Sequence, residues 1–243
     1  MRSLLIAPAD EQRLAEALKS GADAVIVDLA QAAPAERAAA RAAAARFLKE
    51  ARGRGGEPAL IVRINPLDSG ETDSDLDAAM AGAPDAILLP GSLGKASVQQ
   101  LSAKLAVREA EFALPDGATR VIADVDTAQS LFHMGSHRGA SARLIGIAWN
   151  AASLRADIGA ETDRDPLGGY LGVYRLAREL TLLAATSARV AAIDGAFPNI
   201  RDLDGLRADA LAARRDGFTG KIALDPAQAG VINDVFPRDP RLR

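Results

Sequence analysis

The sequence predicts an α/β protein in which eight parallel strands and the helices between them close into a (β/α)8 TIM barrel. Eight short apolar segments recur along the chain, with a helical stretch between each pair, and strict alternation of this kind is typical of a parallel sheet. The chain of 243 residues has the usual length of one barrel, so we expect a single domain over residues 1–243. The predicted strands are Ser3–Ala7, Ala24–Asp28, Leu60–Ile64, Ala86–Leu89, Arg120–Asp124, Leu144–Ala148, Val190–Asp194 and Lys221–Leu224.

The segments between the strands predict helices and one long loop. Asp10 is a candidate N-cap for the first helix, because its short acceptor side chain precedes a helical pattern. Arginines 37, 41 and 46 in the second helix are interpreted as a solvated outer face. The polar segment Pro66–Asp75 is predicted to be an irregular loop above the barrel mouth. The predicted helices are Asp10–Ser20, Ala35–Arg52, one that opens with Gly91–Gly94 and runs through Glu111, Pro166–Ser187 and Pro226–Val235.

Composition excludes several function classes. The chain contains no cysteine, which rules out disulfides and thiolate chemistry. The formal net charge is -3, and no basic cluster of the kind that binds nucleic acid occurs. No segment approaches the roughly 20 apolar residues of a membrane span. We expect a cytoplasmic protein that binds neither nucleic acid nor membrane.

Active sites of (β/α)8 barrels lie at the carboxyl ends of the strands. The residues at those ends are therefore candidates, and they form an acidic set with one arginine. They are Pro8, Asp28, Arg63, Asn65, Pro90, Asp124, Asp126, Asn150, Asp194 and Asp225.

Arg63 ends an apolar strand, where a lone guanidinium requires an anionic partner. Its planar fork suits a carboxylate or phosphate, which favours substrate binding at the rim. The alternative is an internal salt bridge to a neighbouring acid such as Asp28.

Asp124 and Asp126 flank Val125 just after the fifth strand. Two converging carboxylates suit a hard cation such as Mg²⁺, which takes one or two carboxylates together with water and substrate oxygens. The alternative for Asp126 is capping of the helix that follows. Asp194 and Asp225 end the last two strands, and each is a candidate acid, base or capping residue.

Three further features carry weaker signals. His133 and His137 have the spacing of a two-histidine metal site, but they lie far from the predicted catalytic rim, so we expect no metal there. Gly168-Gly169 and Gly217–Gly220 lack the context of a phosphate-binding loop and are predicted to be turns. Trp149 follows the sixth strand and either walls the pocket or packs in the core.

At these strand ends the chain resembles the citrate lyase β-subunit-like branch of the HpcH/HpaI aldolase family. The similarity runs from Arg2 to Phe236. The matching stretches, in order along the barrel, are Arg2-Ser-Leu-Leu with Pro8, Gly21–Leu29, Val62–Pro66, Ile87–Pro90, Asp126–Ala128, Leu154–Gly159, Ala192–Asp194 and Gly217–Lys221 through Asp225–Gln228.

The resemblance implies a homotrimeric or hexameric barrel that binds Mg²⁺ and cleaves C–C bonds in a 3-hydroxyacyl-CoA of the citryl-, malyl- or citramalyl-CoA type. Acetyl-CoA and a keto acid are the implied products. It assigns substrate binding to Arg63, Asn65 and Asp126, and metal ligation to Asp126. Asp28, Asp194 and Asp225 become the candidates for proton transfer.

The chain departs from the family pattern at the metal site. Ser153 stands where the second metal aspartate is usual, so it is at most a weak ligand, and Asp124 is the candidate replacement. Other departures are Ala30, Gln31, Gly91, Ala152 and Asp225, the last in place of a common histidine. Two alternatives follow, a catalytically silent barrel that binds a carboxylated molecule without metal-dependent cleavage, and a barrel redirected to another small oxo-acid.

Overall fold

Eight parallel strands pair in chain order, and the last returns to the first, which closes the barrel. The computed structural model describes residues 1–54, 58–166 and 168–237. The strands are β1 Ser3–Pro8, β2 Ala24–Asp28, β3 Ala59–Arg63, β4 Ala86–Leu89, β5 Arg120–Val125, β6 Leu144–Trp149, β7 Ala191–Asp194 and β8 Gly220–Ala223. The predicted fold is confirmed, and every predicted strand begins and ends within one residue of an observed strand.

Helices connect the strands and surround the barrel. They are α1 Glu11–Leu18, α2 Arg37–Arg54, α3 Thr72–Met80, α4 Lys95–Glu111, α5 Ala128–His133, α6 Ala151–Ile158, α7 Gly172–Ala188, α8 Leu203–Asp216 and α9 Pro226–Val235, with a 3₁₀ segment at Met134–His137. Asp10 caps α1 by accepting a hydrogen bond from the Arg13 amide, as predicted. Among the described residues, no helix combines the length and apolarity that crossing a membrane requires.

Alternation along the strands separates two cores. One set of side chains fills the barrel interior, and the other packs between the barrel and the helices. The interior set is Leu4, Ala24, Ile26, Ile61, Ala86, Leu88, Ile122, Ala148 and Ile193. Because apolar side chains fill this interior, polar chemistry is confined to the strand ends.

Most predicted helix ends differ from the observed ends by a few residues, and two predictions about the helical segments are wrong by more than that. The segment Pro66–Asp75 is not a loop throughout, because α3 begins at Thr72, whose hydroxyl donates to the carbonyl of Pro66. Acidic residues in this first helical turn are favoured by the helix dipole, a signal that the turn-rich composition concealed. The helix predicted from Pro166 begins at Gly172 instead, because the preceding segment turns back to form a bridge between Arg164 and Tyr170.

The arginines of α2 do not all form a solvated face. Arg37 binds Glu71, and Arg41 binds both Glu71 and Asp75, so these two side chains attach α2 to the start of α3. Arg46 pairs with Glu11 at an exposed position, as the solvated interpretation predicts. The ion pairs of Arg37 and Arg41 fix the loop that follows β3.

Candidate active site

Four charged side chains meet at the carboxyl end of the barrel. Asp28 ends β2, Arg63 ends β3 beside it in register, and Asp124 and Asp126 lie at the end of β5. All four are buried, with at most 7% of any residue exposed. The structure thus brings together four residues that the strand-end rule selected from distant parts of the sequence.

Arg63 lies between the three acids. Its guanidinium nitrogens are 3.3 Å from Asp28 Oδ2, 3.4 Å from Asp126 Oδ2 and 4.0 Å from Asp124 Oδ2. These are longer than the usual charge-assisted hydrogen bond of about 2.7–2.9 Å. Arg63 Nε and Asp124 Oδ1 have no hydrogen-bond partner among the described residues. Because unpaired buried polar atoms are costly, this loosely bonded cluster has the character of a binding site.

Burial and mutual repulsion perturb the acids of the cluster. Burial, together with the neighbouring Asp126, raises the pKa of Asp124 to about 8. Burial also raises the pKa values of Asp28 and Asp126, although Arg63 opposes the shift. Burial alone would lower the pKa of Arg63, but the three acids outweigh it and raise that pKa. Carboxyl groups with raised pKa values suit proton transfer near neutral pH.

Replacing Asp124 with asparagine tests this electrostatic arrangement. The native pKa of Asp124 lies above its ordinary value, so the native state holds a proton that the unfolded state loses, and stability falls as pH rises from about 4 to about 8. We expect Asp124→Asn to raise the melting temperature at pH 9 and to change it little at pH 5. Thermal unfolding in EDTA measures this, with the exposed Asp68→Asn as the matched control. Equal shifts for Asp124→Asn at the two pH values would contradict the assignment.

Asp126 is held in a defined orientation by the loop after β4. Its Oδ1 accepts a hydrogen bond of 2.7 Å from the Gly91 amide, and its Oδ2 faces Arg63. The helix-capping alternative for Asp126 is wrong. Thr127 caps α5 in a reciprocal pair with Ser130, because its hydroxyl accepts from the Ser130 amide.

Three cavities converge on the cluster. Arg63 and Asp124 line a mouth cavity of about 170 Å³, whose other walls are mainly apolar. Asp28 borders a groove against α1 and α2, and Asp126 borders another beside Pro66 and Gly91. An apolar cavity with a few convergent charged groups is the usual form of a small-molecule site.

Trp149 fulfils both roles considered for it. It lines the mouth cavity, and it is only 1% exposed and packs edge-on against Tyr170.

Asn65 is buried but engaged with protein groups. Its backbone amide and its Nδ2 both donate to Asp75 Oδ2, at 2.7 and 2.8 Å. Asp75 also binds Arg41, so Asn65 belongs to the network that attaches α2 and α3 to the barrel. Sequence reasoning missed Asp75 because the acid lies in a segment that was predicted to be a loop.

Asp194 points away from the Arg63 cluster. Its neighbour Ile193 fills the barrel interior, so alternation directs Asp194 outward, toward α7 and α8. Lys221 and Trp149 donate to its two oxygens at 2.7 and 2.9 Å, and Arg178 adds a further bond. Burial alone would raise the pKa of Asp194, but the cations outweigh it and hold that pKa below its ordinary value. These contacts favour a structural ion pair over proton transfer.

Two other predicted site residues act locally at helix starts. Asp225 caps α9 by accepting from the Ala227 amide, and within the described part of the chain it forms no hydrogen bond or ion pair with the Arg63 cluster. Ser153 lies in the first turn of α6, where its amide donates to Asn150. Ala152, not Ser153, lines the mouth cavity.

The two histidines lie in different environments. His133 is exposed at the end of α5, whereas His137 is fully buried and contacts Ser92. Within the described ranges, no group of three or more histidine, aspartate or glutamate side chains is arranged to hold a metal ion. Any cation at the rim would therefore rely on one or two carboxylates.

The model of the HpcH/HpaI aldolase/citrate lyase family matches residues 2–226, nearly the whole barrel. The chain belongs to this family. The citrate lyase subunit beta of Leuconostoc mesenteroides subsp. cremoris is 33% identical over 89% of this chain and 70% of its own length. A (3S)-malyl-CoA thioesterase of Cereibacter sphaeroides is 31% identical over 98% of this chain and 78% of its own length.

Solved structures of the family superpose closely on the barrel. The citrate lyase beta subunit of M. tuberculosis complexed with oxaloacetate and magnesium has a TM-score of 0.80 at 29% identity, covering 97% of this chain and 96% of that chain. Protein CitE of the same organism, in complex with magnesium, acetoacetate and coenzyme A, has a TM-score of 0.81 at 29% identity, covering 98% and 82%. The family is one of citrate lyase beta-like lyases, which supports a lyase role for this barrel.

Proposed function

We propose that the protein is a carbon–carbon lyase that cleaves a 3-hydroxyacyl-CoA of the citryl-, malyl- or citramalyl-CoA type into acetyl-CoA and a keto acid. The observation that carries this proposal is the position of Arg63, which lies at the end of β3 with Asp124 and Asp126 beside it and borders an apolar cavity. Arg63 binds the carboxylate of the keto-acid half, because its fork matches a carboxylate. The apolar wall accommodates the acyl chain.

The carboxylates fit a weak divalent cation site. Mg²⁺ takes one or two protein carboxylates and keeps several waters, and Asp126 and Asp124 supply two. Asp124 Oδ1 is buried without a hydrogen-bond partner, as expected of an oxygen reserved for a ligand. When bound, such a cation supplies stabilisation of negative charge on substrate oxygens. Ser153 is a minor participant at most, because its side chain is a poor ligand for a hard cation.

Cleavage requires two proton transfers at the protein. The 3-hydroxyl loses its proton as the C–C bond breaks and the carbonyl of the keto acid forms. The electron pair of that bond passes to the acetyl thioester enolate, which then takes a proton on carbon. Asp28 is placed for one of these transfers, because it lies beside Arg63 with a raised pKa. Arg63 orients the hydroxy acid for both steps.

Incubation with citryl-, malyl- and citramalyl-CoA, in Mg²⁺ and in EDTA, tests the proposal by mass spectrometry. We expect EDTA-sensitive release of acetyl-CoA and a keto acid from one of the three, and its loss in Asp126→Asn. Thermal stabilisation by Mg²⁺ provides a readout that needs no turnover. Absence of turnover with all three thioesters would contradict the proposal.

A second candidate function is a barrel that binds a carboxylated small molecule without metal-dependent cleavage. Ala152 at the cavity wall favours it, because no carboxylate reaches the cavity from the start of α6. Binding of a keto acid without turnover, and without response to Mg²⁺, would support this candidate.

Restoring an acid at position 153 tests the location of the cation. We expect Ser153→Asp to strengthen Mg²⁺ binding on the order of tenfold, because an additional carboxylate raises the ligand charge. Ser153→Asn is the matched control, since asparagine has the size of aspartate but carries no charge. Titration calorimetry measures the dissociation constants, and equal values for the two variants would place the cation elsewhere.

We also propose that the chain forms a single domain and assembles as a homotrimer or hexamer, as the family resemblance implies. Sedimentation velocity of the purified protein measures the assembly state.

A further inference from the structure

A buried serine–histidine contact lies next to the loop residue Gly91, whose amide donates to Asp126. Ser92 and His137 are fully buried, and Ser92 Oγ lies 3.1 Å from His137 Nε2. His137 Nδ1 lies 2.9 Å from the carbonyl of Met134, which can only accept, so this nitrogen carries the proton. Burial lowers the pKa of His137, which keeps the ring neutral. Nε2 is then an acceptor, and the Ser92 hydroxyl donates to it.

The loop that contains Ser92 is fastened to β5 by two consecutive amides. The Ser92 amide donates to the carbonyl of Asp124 at 3.2 Å, and the Gly91 amide donates to Asp126 Oδ1 at 2.7 Å. Gly91 has a φ of +60°, a conformation that side-chain-bearing residues rarely adopt. This conformation directs a main-chain donor at the Asp126 side chain.

The 3₁₀ segment Met134–His137 packs tightly against the same loop. A Cβ at Gly94 would lie 1.8 Å from Ser136 Oγ and 2.6 Å from the carbonyl of His133. Ser136 Oγ also accepts from the Lys95 amide. Gly94, Lys95 and Ser136 therefore hold the loop against this segment, and the Ser92–His137 contact joins the same two elements.

We infer that His137 and Ser92 are positioning residues that hold the Gly91 amide on Asp126 and so fix the orientation of this carboxylate at the candidate site. Neither side chain reaches the cavities, so both act through the loop. Groups that orient a metal-binding carboxylate commonly change affinity by 10–100-fold when removed. The inference rests on the proposed role of Asp126, but the hydrogen bond at its centre is measurable without it.

Pro90-Gly91 is the only Pro-Gly pair in the sequence. Labelling with carbonyl-¹³C proline and ¹⁵N glycine therefore gives one amide signal, that of Gly91, in a carbonyl-correlated NMR spectrum. Asp126→Asn defines how this signal changes when the carboxylate acceptor is altered. We expect Ser92→Ala and His137→Leu to shift the signal in the same direction and to accelerate amide exchange at least tenfold.

His133→Leu is the matched control, because His133 lies one turn earlier and also contacts a main-chain carbonyl but is exposed. We expect it to leave the Gly91 signal unchanged. His137→Gln retains an acceptor and should restore part of the wild-type signal. Wild-type exchange in Ser92→Ala and His137→Leu would overturn the inference, as would a Gly91 signal that does not respond to Asp126→Asn.

Titration of Mg²⁺ against the same Gly91 signal separates the inference from the proposed function. We expect the dissociation constant to weaken about tenfold in Ser92→Ala. If the wild-type signal does not respond to Mg²⁺, the cation proposal fails, while the exchange data still decide whether Ser92 and His137 position Asp126. A response to Mg²⁺ with equal affinity in both proteins would overturn the positioning role.

Discussion

Replacing Arg63 with alanine is expected to lower the free energy of unfolding by about 3–5 kcal/mol at pH 8, because three buried carboxylates lose the cation that they share. The loss should be smaller at pH 5. The pKa values of Asp28, Asp124 and Asp126 are all raised, so these acids take up protons more readily as pH falls. A protonated carboxyl is neutral, and its burial therefore costs less when the guanidinium is absent. Urea unfolding at the two pH values measures both effects.

The same variant should lose binding of the carboxylated ligand. Position alone would predict this loss with little cost to the fold, because the carboxyl end of a barrel carries function more than stability. The structure shows the internal salt bridge considered for Arg63, whereas substrate binding by the same guanidinium is the role that we propose. Arg46→Ala is the control, since its exposed pair with Glu11 contributes at most about 1 kcal/mol. Equal destabilisation by Arg63→Ala and Arg46→Ala would refute the cluster's electrostatic role.

Replacing Lys221 with methionine is expected to lower the free energy of unfolding by a similar amount, about 3–5 kcal/mol, because the ammonium is completely buried among acceptors. Its Nζ lies 2.7 Å from Asp194 Oδ2, 2.7 Å from the carbonyl of Gly195 and 2.6 Å from Asp209 Oδ2. Methionine fills a similar volume but leaves two carboxylates short of a cation. Chemical denaturation near pH 7 measures the change.

Two further variants identify the cause of the Lys221 effect. Lys95→Met removes an exposed ammonium at the start of α4 and should change stability little. Lys221→Met combined with Asp194→Asn should be less destabilising than Lys221→Met alone, because the unpaired charge is removed as well. A double variant as unstable as the sum of the single changes would indicate that packing, not charge, is lost.

The strand-end rule located much of the candidate site from sequence. Asp28, Arg63, Asp124 and Asp126 are far apart in the chain, yet parallel strands of one barrel end at one rim, so their convergence follows from the fold class. The same rule included Asp194, whose side chain points outward. Alternation from Ile193 could have indicated this direction, and Lys221, a lone cation in an apolar strand, could have indicated its partner.

Other contacts had no usable signal in the sequence. The pairing of Ser92 with His137 depends on how a 3₁₀ segment packs against a loop more than forty residues earlier in the chain. Asp75 reaches Asn65 only because α3 begins inside a segment whose composition resembles a loop. The sequence separations of the pairs Ser92–His137 and Asn65–Asp75 do not follow from a helical or strand period. Pattern analysis therefore assigns no partner to His137 or Asp75.

The sequence by itself determined the barrel, its strand boundaries and the set of residues at its rim, because strand and helix periodicities are local and recur eight times. Only the tertiary structure decided which of those residues share an electrostatic environment. Arg63 lies among three acids, whereas Asp194 lies among cations on the other side of the barrel wall. The physical reason is that burial and charge act through space over a few ångströms, and distances of that kind are set by packing between distant segments.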